Sequence, residues 1–140
     1  MNEAALWTPE EVRAATGGVF ARPPAMPATG ASIDSRSLEP GDIFFAIAGP
    51  SRDGHDFVPL ALERGAAFAV IARSAAVRLG EGAFLLVDDP LAALTDLGRA
   101  GRRRSAAKLV AVTGSVGKTT TQEALRVALS ASGPTPASVA

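Results

Sequence analysis

The sequence predicts an α/β fold built on a substantially parallel sheet, and three observations carry that prediction. Short apolar runs of strand length recur at Ile43–Ala48, Phe68–Ala72, Ala83–Val87 and Lys108–Val112. Helical patterns separate these runs, and glycine or proline stands at the junctions. Strands alternating with helices in this way pack as a parallel sheet covered by helices. The order of the strands within the sheet does not follow from the sequence.

The first helix is announced by Thr8-Pro9-Glu10-Glu11, a capping box with proline at the first helical position. Val12 and Ala14-Ala15 continue it, and Gly17-Gly18 ends it. Arg22 to Gly30 contains Pro23, Pro24, Pro27 and Gly30 and reads as an irregular connector leading to Ala31-Ser32-Ile33-Asp34. Ile43–Ala48 is continuously apolar, too short for a typical helix and closed by Gly49-Pro50, so it predicts a buried strand. A helix over Phe57–Arg64 stops at Gly65, and strands follow at Phe68–Ala72 and Ala83–Val87. Asp89-Pro90 starts a helix with Leu91, Leu94 and Leu97 on one broad face, running to about Arg104. Lys108–Val112 predicts one more strand and Thr119–Ser130 the helix after it.

Composition excludes several kinds of chemistry. The 140 residues include no cysteine and one histidine, which removes disulfides, thiolate zinc sites, a cysteine nucleophile and multi-histidine metal sites. Fourteen Lys+Arg balance fourteen Asp+Glu, so no overall field draws the chain to nucleic acid or an anionic membrane. No apolar run nears the roughly 20 residues that span a bilayer. Met1–Trp7 lacks a basic stretch before an apolar run, so no leader is expected, and a cytoplasmic protein without membrane insertion is the expectation. Arg102-Arg103-Arg104 complement the C-terminal dipole of the helix they end and read as a solvated face rather than a nucleic-acid patch.

The strongest chemical signal is Val110-Ala111-Val112-Thr113-Gly114-Ser115-Val116-Gly117-Lys118-Thr119-Thr120. A glycine-bearing loop between a strand and a helix aims backbone N–H groups at a phosphate. Gly114 and Gly117 admit close approach, Lys118 supplies a point charge to the outer phosphates, and the Thr119 hydroxyl suits Mg²⁺. Gly114, Ser115, Val116, Gly117, Lys118, Thr119 and Thr120 form the expected ATP site, with Lys118 catalytic. The general phosphate-loop pattern has a glycine five residues before Gly117, where this chain has Val112. The bland alternative is an ordinary glycine turn. Only about twenty residues follow Thr120, whereas a parallel nucleotide-binding sheet needs several further βα units. The nucleotide-binding domain is therefore expected to be incomplete here, and to bind nucleotide weakly by itself.

Thr113–Thr120 resembles the ATP-binding loop of the Mur ligases, which use a short glycine-x-x-glycine-lysine-threonine form without the upstream glycine. Ile33-Asp34-Ser35-Arg36, then Pro40-Gly41-Asp42-Ile43-Phe44-Phe45-Ala46-Ile47-Ala48-Gly49 and Asp53-Gly54-His55-Asp56-Phe57, resemble the N-terminal domain of the same family. The resemblance implies residues 1–107 as an N-terminal UDP-substrate-binding domain and 108–140 as the first strand, phosphate loop and helix of a truncated central ATPase domain. It also implies that ATP, with Mg²⁺, phosphorylates the terminal carboxylate of a UDP-N-acetylmuramoyl-peptide, and that an amine then attacks the acyl phosphate. Gly-His-Asp-Phe and Val-Thr-Gly-Ser-Val-Gly-Lys point within the family to the branch whose amine is D-alanyl-D-alanine, with the branch adding the third peptide residue as the near alternative. A monomeric full-length enzyme is implied.

By the same resemblance Asp34, Ser35 and Arg36, with Gly49, Pro50, Ser51 and Arg52, lie nearest the UDP end. A diphosphate suits a guanidinium fork and backbone donors near a glycine, if the two loops meet. The alternative for Asp34-Ser35-Arg36 is a solvated turn with a local carboxylate cap. His55 suits a cap or packing role better than catalysis. Three readings follow: an N-terminal piece of the ligase, inactive alone; another phosphate-loop enzyme such as a small kinase; or a non-catalytic module binding a UDP-sugar peptide or a protein partner.

Overall fold

The computed structural model describes residues 4–138. Met1–Glu3, part of the stretch expected to lack a leader, and the last two positions of the second expected domain lie outside the described residues. The chain divides into two compact units, Met1–Ser105 and Ala106–Ala140.

The first unit opens with α1 (Pro9–Thr16). The Thr8 hydroxyl accepts the Glu11 N–H at 3.2 Å and the Glu11 carboxylate accepts the Thr8 N–H at 2.8 Å, which is the predicted capping box. Gly17 ends the helix at φ +68°, in the left-handed region glycine tolerates. There follow β1 (Val19–Phe20), β2 (Gly30–Ser32), β3 (Asp42–Phe45), α2 (Val58–Glu63), β4 (Phe68–Ala72), α3 (Ala76–Leu79), β5 (Phe84–Val87) and α4 (Pro90–Arg104). The five strands form one sheet in the order β1-β5-β4-β3-β2. β2 to β5 run parallel, and β1 alone is antiparallel, pairing Val19 with Leu86. The parallel α/β expectation for this unit is met.

Both faces of the sheet are covered, which explains why its strands read as unbroken apolar runs. Ile43, Phe45, Phe68, Val70, Leu85 and Val87 point to one side, with Trp7 and Val12 before the sheet and Ala93 and Leu97 of α4. The alternate residues Phe44, Ala69, Ile71 and Phe84 point to the other, against Val58 and Ala61 of α2. Phe20 and Phe68 meet edge to face, their centroids 5.2 Å apart.

Several details differ from the sequence reading. β1 and β2 were not predicted; they are two and three residues long and owe their strand geometry to pairing with β5 and β3. The helix predicted from Phe57 begins instead with a 3₁₀ turn over Gly54–Phe57, and α2 then starts at Val58. On α4 the inward positions are Pro90, Ala93 and Leu97, while Leu91 is 53% exposed. Steps of three residues fall roughly 60° short of a full turn each, so three leucines so spaced cannot all face one core. Arg104 is not merely solvated: its guanidinium lies 4.3 Å over the Trp7 ring and donates to the Leu6 carbonyl at 3.1 Å. Arg102 donates to the Ser105 carbonyl, meeting the helix end as its position suggested.

In the second unit α5 spans Lys118–Ser130, one residue longer than predicted. The strand predicted at Lys108–Val112 is not formed among the described residues, and Leu109 is 79% exposed. A strand exists only by pairing, and no strand of this unit offers a ladder.

Candidate functional site

The carboxyl ends of adjacent parallel strands are where open α/β sheets bind ligands, because the chain leaves each strand there and the diverging loops open a crevice. β2 ends into Ile33–Arg36 and β3 into Ala46–Asp53, and the two loops border one cleft of about 340 Å³. Asp34, Ser35, Arg36, Gly49 and Arg52 line it together with Phe44, Ile47 and Phe57. Of the residues singled out near the UDP end, Pro50 and Ser51 are not part of the lining.

The first loop is a carboxylate-capped turn. Asp34 accepts the Arg36 N–H at 2.9 Å and grips the Arg36 guanidinium through Nε at 3.0 Å and Nη2 at 2.6 Å. The guanidinium bonds, and then the backbone bond, hold the Asp34 carboxyl down at about 2, below its ordinary 3.8. One edge of the Arg36 fork is thus taken by its neighbour. Arg64, just past α2, donates to the Ser35 carbonyl at 2.9 Å and the Arg36 carbonyl at 3.1 Å, fixing the turn from behind. Ser35 is 5% exposed, yet no hydrogen bond of its hydroxyl occurs among the described residues.

The second loop closes on itself. Gly49 N–H donates to the Arg52 carbonyl at 2.8 Å, Gly54 N–H donates to the Ile47 carbonyl at 2.9 Å, and Ala48 bridges Asp53. The Gly49 N–H is therefore committed within the loop, and the backbone donor expected there is not offered to a ligand. Arg52 lowers the Asp34 carboxyl through its charge and forms no ion pair among the described residues. The uncommitted side-chain donors bordering the cleft are accordingly the Arg52 guanidinium, the Ser35 hydroxyl and the free edge of the Arg36 fork.

His55, given little weight as a catalyst, is 4% exposed and fully partnered. Its Nε2 accepts the Ala72 N–H at 2.9 Å and its Nδ1 lies 2.6 Å from Asp53 Oδ1. The backbone and then the side-chain bonds from His55 hold the Asp53 carboxyl below its ordinary value. Sequence reasoning missed Arg64 and the cleft walls Phe44, Ile47 and Phe57, since nothing local marks a residue that meets a loop 28 positions away.

In the second unit Gly114 and Gly117 take φ of +145° and +77°, values that favour glycine. Gly117 is the N-cap of α5, and Lys118, Thr119 and Thr120 form its first turn, whose N–H groups have no partner inside the helix. A Cβ on Gly117 would meet nothing within 4 Å, so the approach to this turn is open. Lys118 forms no ion pair among the described residues. This donor set fits a phosphate. For a divalent cation it offers the Thr119 hydroxyl and no carboxylate, so Mg²⁺ would be held chiefly by the nucleotide's oxygens and water. No group of three or more His, Asp or Glu side chains arranged to hold a metal occurs among the described residues.

A parallel sheet with a cleft at its carboxyl edge, followed along the chain by a glycine-lysine-threonine helix start, defines an α/β protein. The chain belongs to the Mur ligase family: the model described as "Mur ligase family, catalytic domain" matches residues 27–101. The match includes both cleft loops and ends before Thr113. The UDP-N-acetylmuramoyl-tripeptide–D-alanyl-D-alanine ligase of Synechocystis sp. is 46% identical over 98 residues, 69% of this chain and 21% of that protein. The UDP-N-acetylmuramoyl-L-alanyl-D-glutamate–2,6-diaminopimelate ligase of Chlorobaculum tepidum is 37% identical over 107 residues, 75% of this chain and 21% of that one. Among solved structures, MurF from Acinetobacter baumannii superposes with a TM-score of 0.76 at 36% identity, covering 89% of this chain and 28% of that one. MurF ligase from Thermotoga maritima in complex with ADP gives 0.58 at 34% identity, covering 72% and 23%. The chain spans about a fifth of the length of the curated relatives it matches. No helix among the described residues is long and apolar enough to cross a membrane.

Proposed function

We propose that the chain is the N-terminal portion of an ATP-dependent ligase that adds D-alanyl-D-alanine to a UDP-N-acetylmuramoyl-tripeptide, a step of peptidoglycan precursor synthesis. The observation that carries the reading is the convergence of Asp34-Ser35-Arg36 with Gly49 and Arg52 in one cleft. Arg52 and Ser35 bind and orient the diphosphate of the UDP end, Arg36 adds positive charge from its tethered position, and Ile47 and Phe57 shield the bonds from water. Support for the D-alanyl-D-alanine branch comes from the Synechocystis relative, which carries that activity in its name.

Residues 108–140 are read as the start of the ATP-binding domain. Gly114–Thr120 hold the nucleotide's phosphates, Lys118 as point charge and Thr119 as a ligand of Mg²⁺. The likeness to the Acinetobacter structure covers more of the chain than residues 1–105 alone, and the Thermotoga relative holds ADP. Bound ATP supplies the phosphoryl group that activates the peptide's terminal carboxylate toward the amine.

The test is titration calorimetry of the full chain with UDP and with UDP-N-acetylmuramoyl-tripeptide. Arg52→Ala is expected to weaken both by about tenfold or more, the effect of losing one charge-assisted bond. Absence of binding by the unaltered chain would refute the reading. With ATP, Mg²⁺ and both substrates the chain alone is expected to give no product, and peptide-bond formation would overturn that expectation. The sibling that adds the third peptide residue is a second reading, supported by the Chlorobaculum relative, which is 37% identical over 107 residues. Preference for the UDP-linked dipeptide over the tripeptide would select it.

A further inference from the structure

The histidine that sequence reasoning set aside follows the second cleft loop directly, and its two ring bonds join Asp53, at the far end of that loop, to Ala72 at the end of β4. The start of the loop is held to β4, where the Val70 carbonyl accepts the Ala46 N–H at 3.0 Å, and from Ile47 to Gly54 the bonds run within the loop: Gly49 bonds Arg52, Ala48 bridges Asp53, and Gly54 bonds Ile47. The bonds within the loop shape it, the Ala46 bond to β4 orients its start, and its far end is oriented at Asp53. Asp53 caps the 3₁₀ turn by accepting the His55 N–H at 3.0 Å and meets the His55 ring at 2.6 Å, and the ring spans to the last residue of β4. From α3, Arg78 donates to Asp53 Oδ2 at 3.0 Å and also pairs with Asp56.

The tautomer follows from the partners. A backbone amide only donates, so the Nε2 that accepts from Ala72 carries no proton, and Nδ1–H donates to Asp53. The imidazole is thus a rigid, neutral crosslink from the loop bearing Gly49 and Arg52 to the carboxyl end of the neighbouring strand. With the ring 4% exposed, water cannot take over either bond at low cost.

We infer that His55 is a positioning residue: through its Nε2 bond to Ala72 it sets where Arg52 stands relative to Ser35 and Arg36, and hence the affinity of the cleft for a nucleoside diphosphate. The inference rests on the proposed UDP role of the cleft. It assigns no contact between His55 and the ligand.

Two substitutions separate the two bonds. Glutamine reaches the position of Nε2 and can accept from Ala72, whereas asparagine reaches only that of Nδ1 and leaves the Ala72 N–H without a partner. Calorimetric titration of the full chain with UDP is expected to give His55→Gln within about threefold of the unaltered chain and His55→Asn weaker by about tenfold or more, the consequence of a buried donor left unmade. Equal affinity in His55→Asn, or equal losses in both variants, would overturn the assignment. Hydrogen exchange reads the same crosslink without ligand: the Ala72 and Gly49 amides should lose protection together in His55→Asn and keep it in His55→Gln. Retained Gly49 protection in His55→Asn overturns the crosslink. If the unaltered chain fails to bind UDP while exchange behaves as expected, the reading of the cleft fails and the positioning of the loop stands. Should His55→Asn not fold, the imidazole ¹⁵N shifts of the unaltered chain decide, since a proton on Nε2 contradicts the bond to Ala72.

Discussion

Gly54 stands where the second cleft loop folds back on β3, and it has no room for a side chain. A Cβ there would lie 2.6 Å from both the backbone N and O of Ile47. Gly54→Ala must therefore displace backbone rather than a flexible side chain, and is expected to cost about 2–3 kcal/mol, at the upper end of ordinary substitutions. Urea unfolding followed by circular dichroism measures it. Asp34 makes a different prediction at the same scale. Its folded carboxyl lies near 2 and its ordinary value is 3.8, so the ionised form is the one the fold favours. Its stabilisation is present above about pH 4 and is lost as pH falls toward 2. A carboxyl ¹³C titration should give a midpoint near 2, rising toward the ordinary range in Arg36→Ala. The Asp34 cap was legible because its partner is two residues away. The bond from His55 to Ala72 was not, because it closes only after β4 is laid beside β3.

Elements were most legible where local chemistry and burial agree. The capping box of α1 depends on Thr8, and Thr8→Ala should lower stability by about 1 kcal/mol, read as a shift in urea midpoint at unchanged slope. β3 was legible because both of its faces are buried, as those of β4 are, so its sequence is an unbroken apolar run. Phe45, fully enclosed in the sheet's α4 face, should cost about 3–5 kcal/mol on truncation to alanine. That loss is a large part of the stability of a domain this size, and thermal unfolding will show it. Lys108–Val112 has the same composition as a buried strand and is not one here, because apolar character specifies burial only when a partner strand is present to supply it. The helix that follows was legible from its glycine-lysine-threonine start. Lys118→Ala removes the loop's only lysine and is expected to abolish measurable ATP affinity; unchanged affinity would leave the loop a structural turn.

At the scale of the whole molecule the two units differ in what holds them. Residues 1–105 surround two apolar clusters on either side of one sheet. In the second unit α5 buries no residue, and Val116, Val127 and Leu129 are exposed. Helices of this length are marginal without tertiary packing. Hydrogen exchange is therefore expected to show strong protection for β3 and β4 amides and little for 118–130, and equal protection would contradict this account.

The sequence by itself determined the alternation of elements in the first unit, the caps of α1 and α4, and the family resemblance. All of these rest on interactions within a few residues or on runs of apolar side chains. Only the tertiary structure decided the strand order, the two short strands β1 and β2, and which leucine of α4 faces the core. It alone brought Ser35 and Arg52 to one cleft, committed the Gly49 N–H within its loop, and bonded Arg64 and His55 to the loops that border that cleft. These features depend on contacts between residues far apart along the chain, and such contacts exist only once the sheet has set the distances between loops.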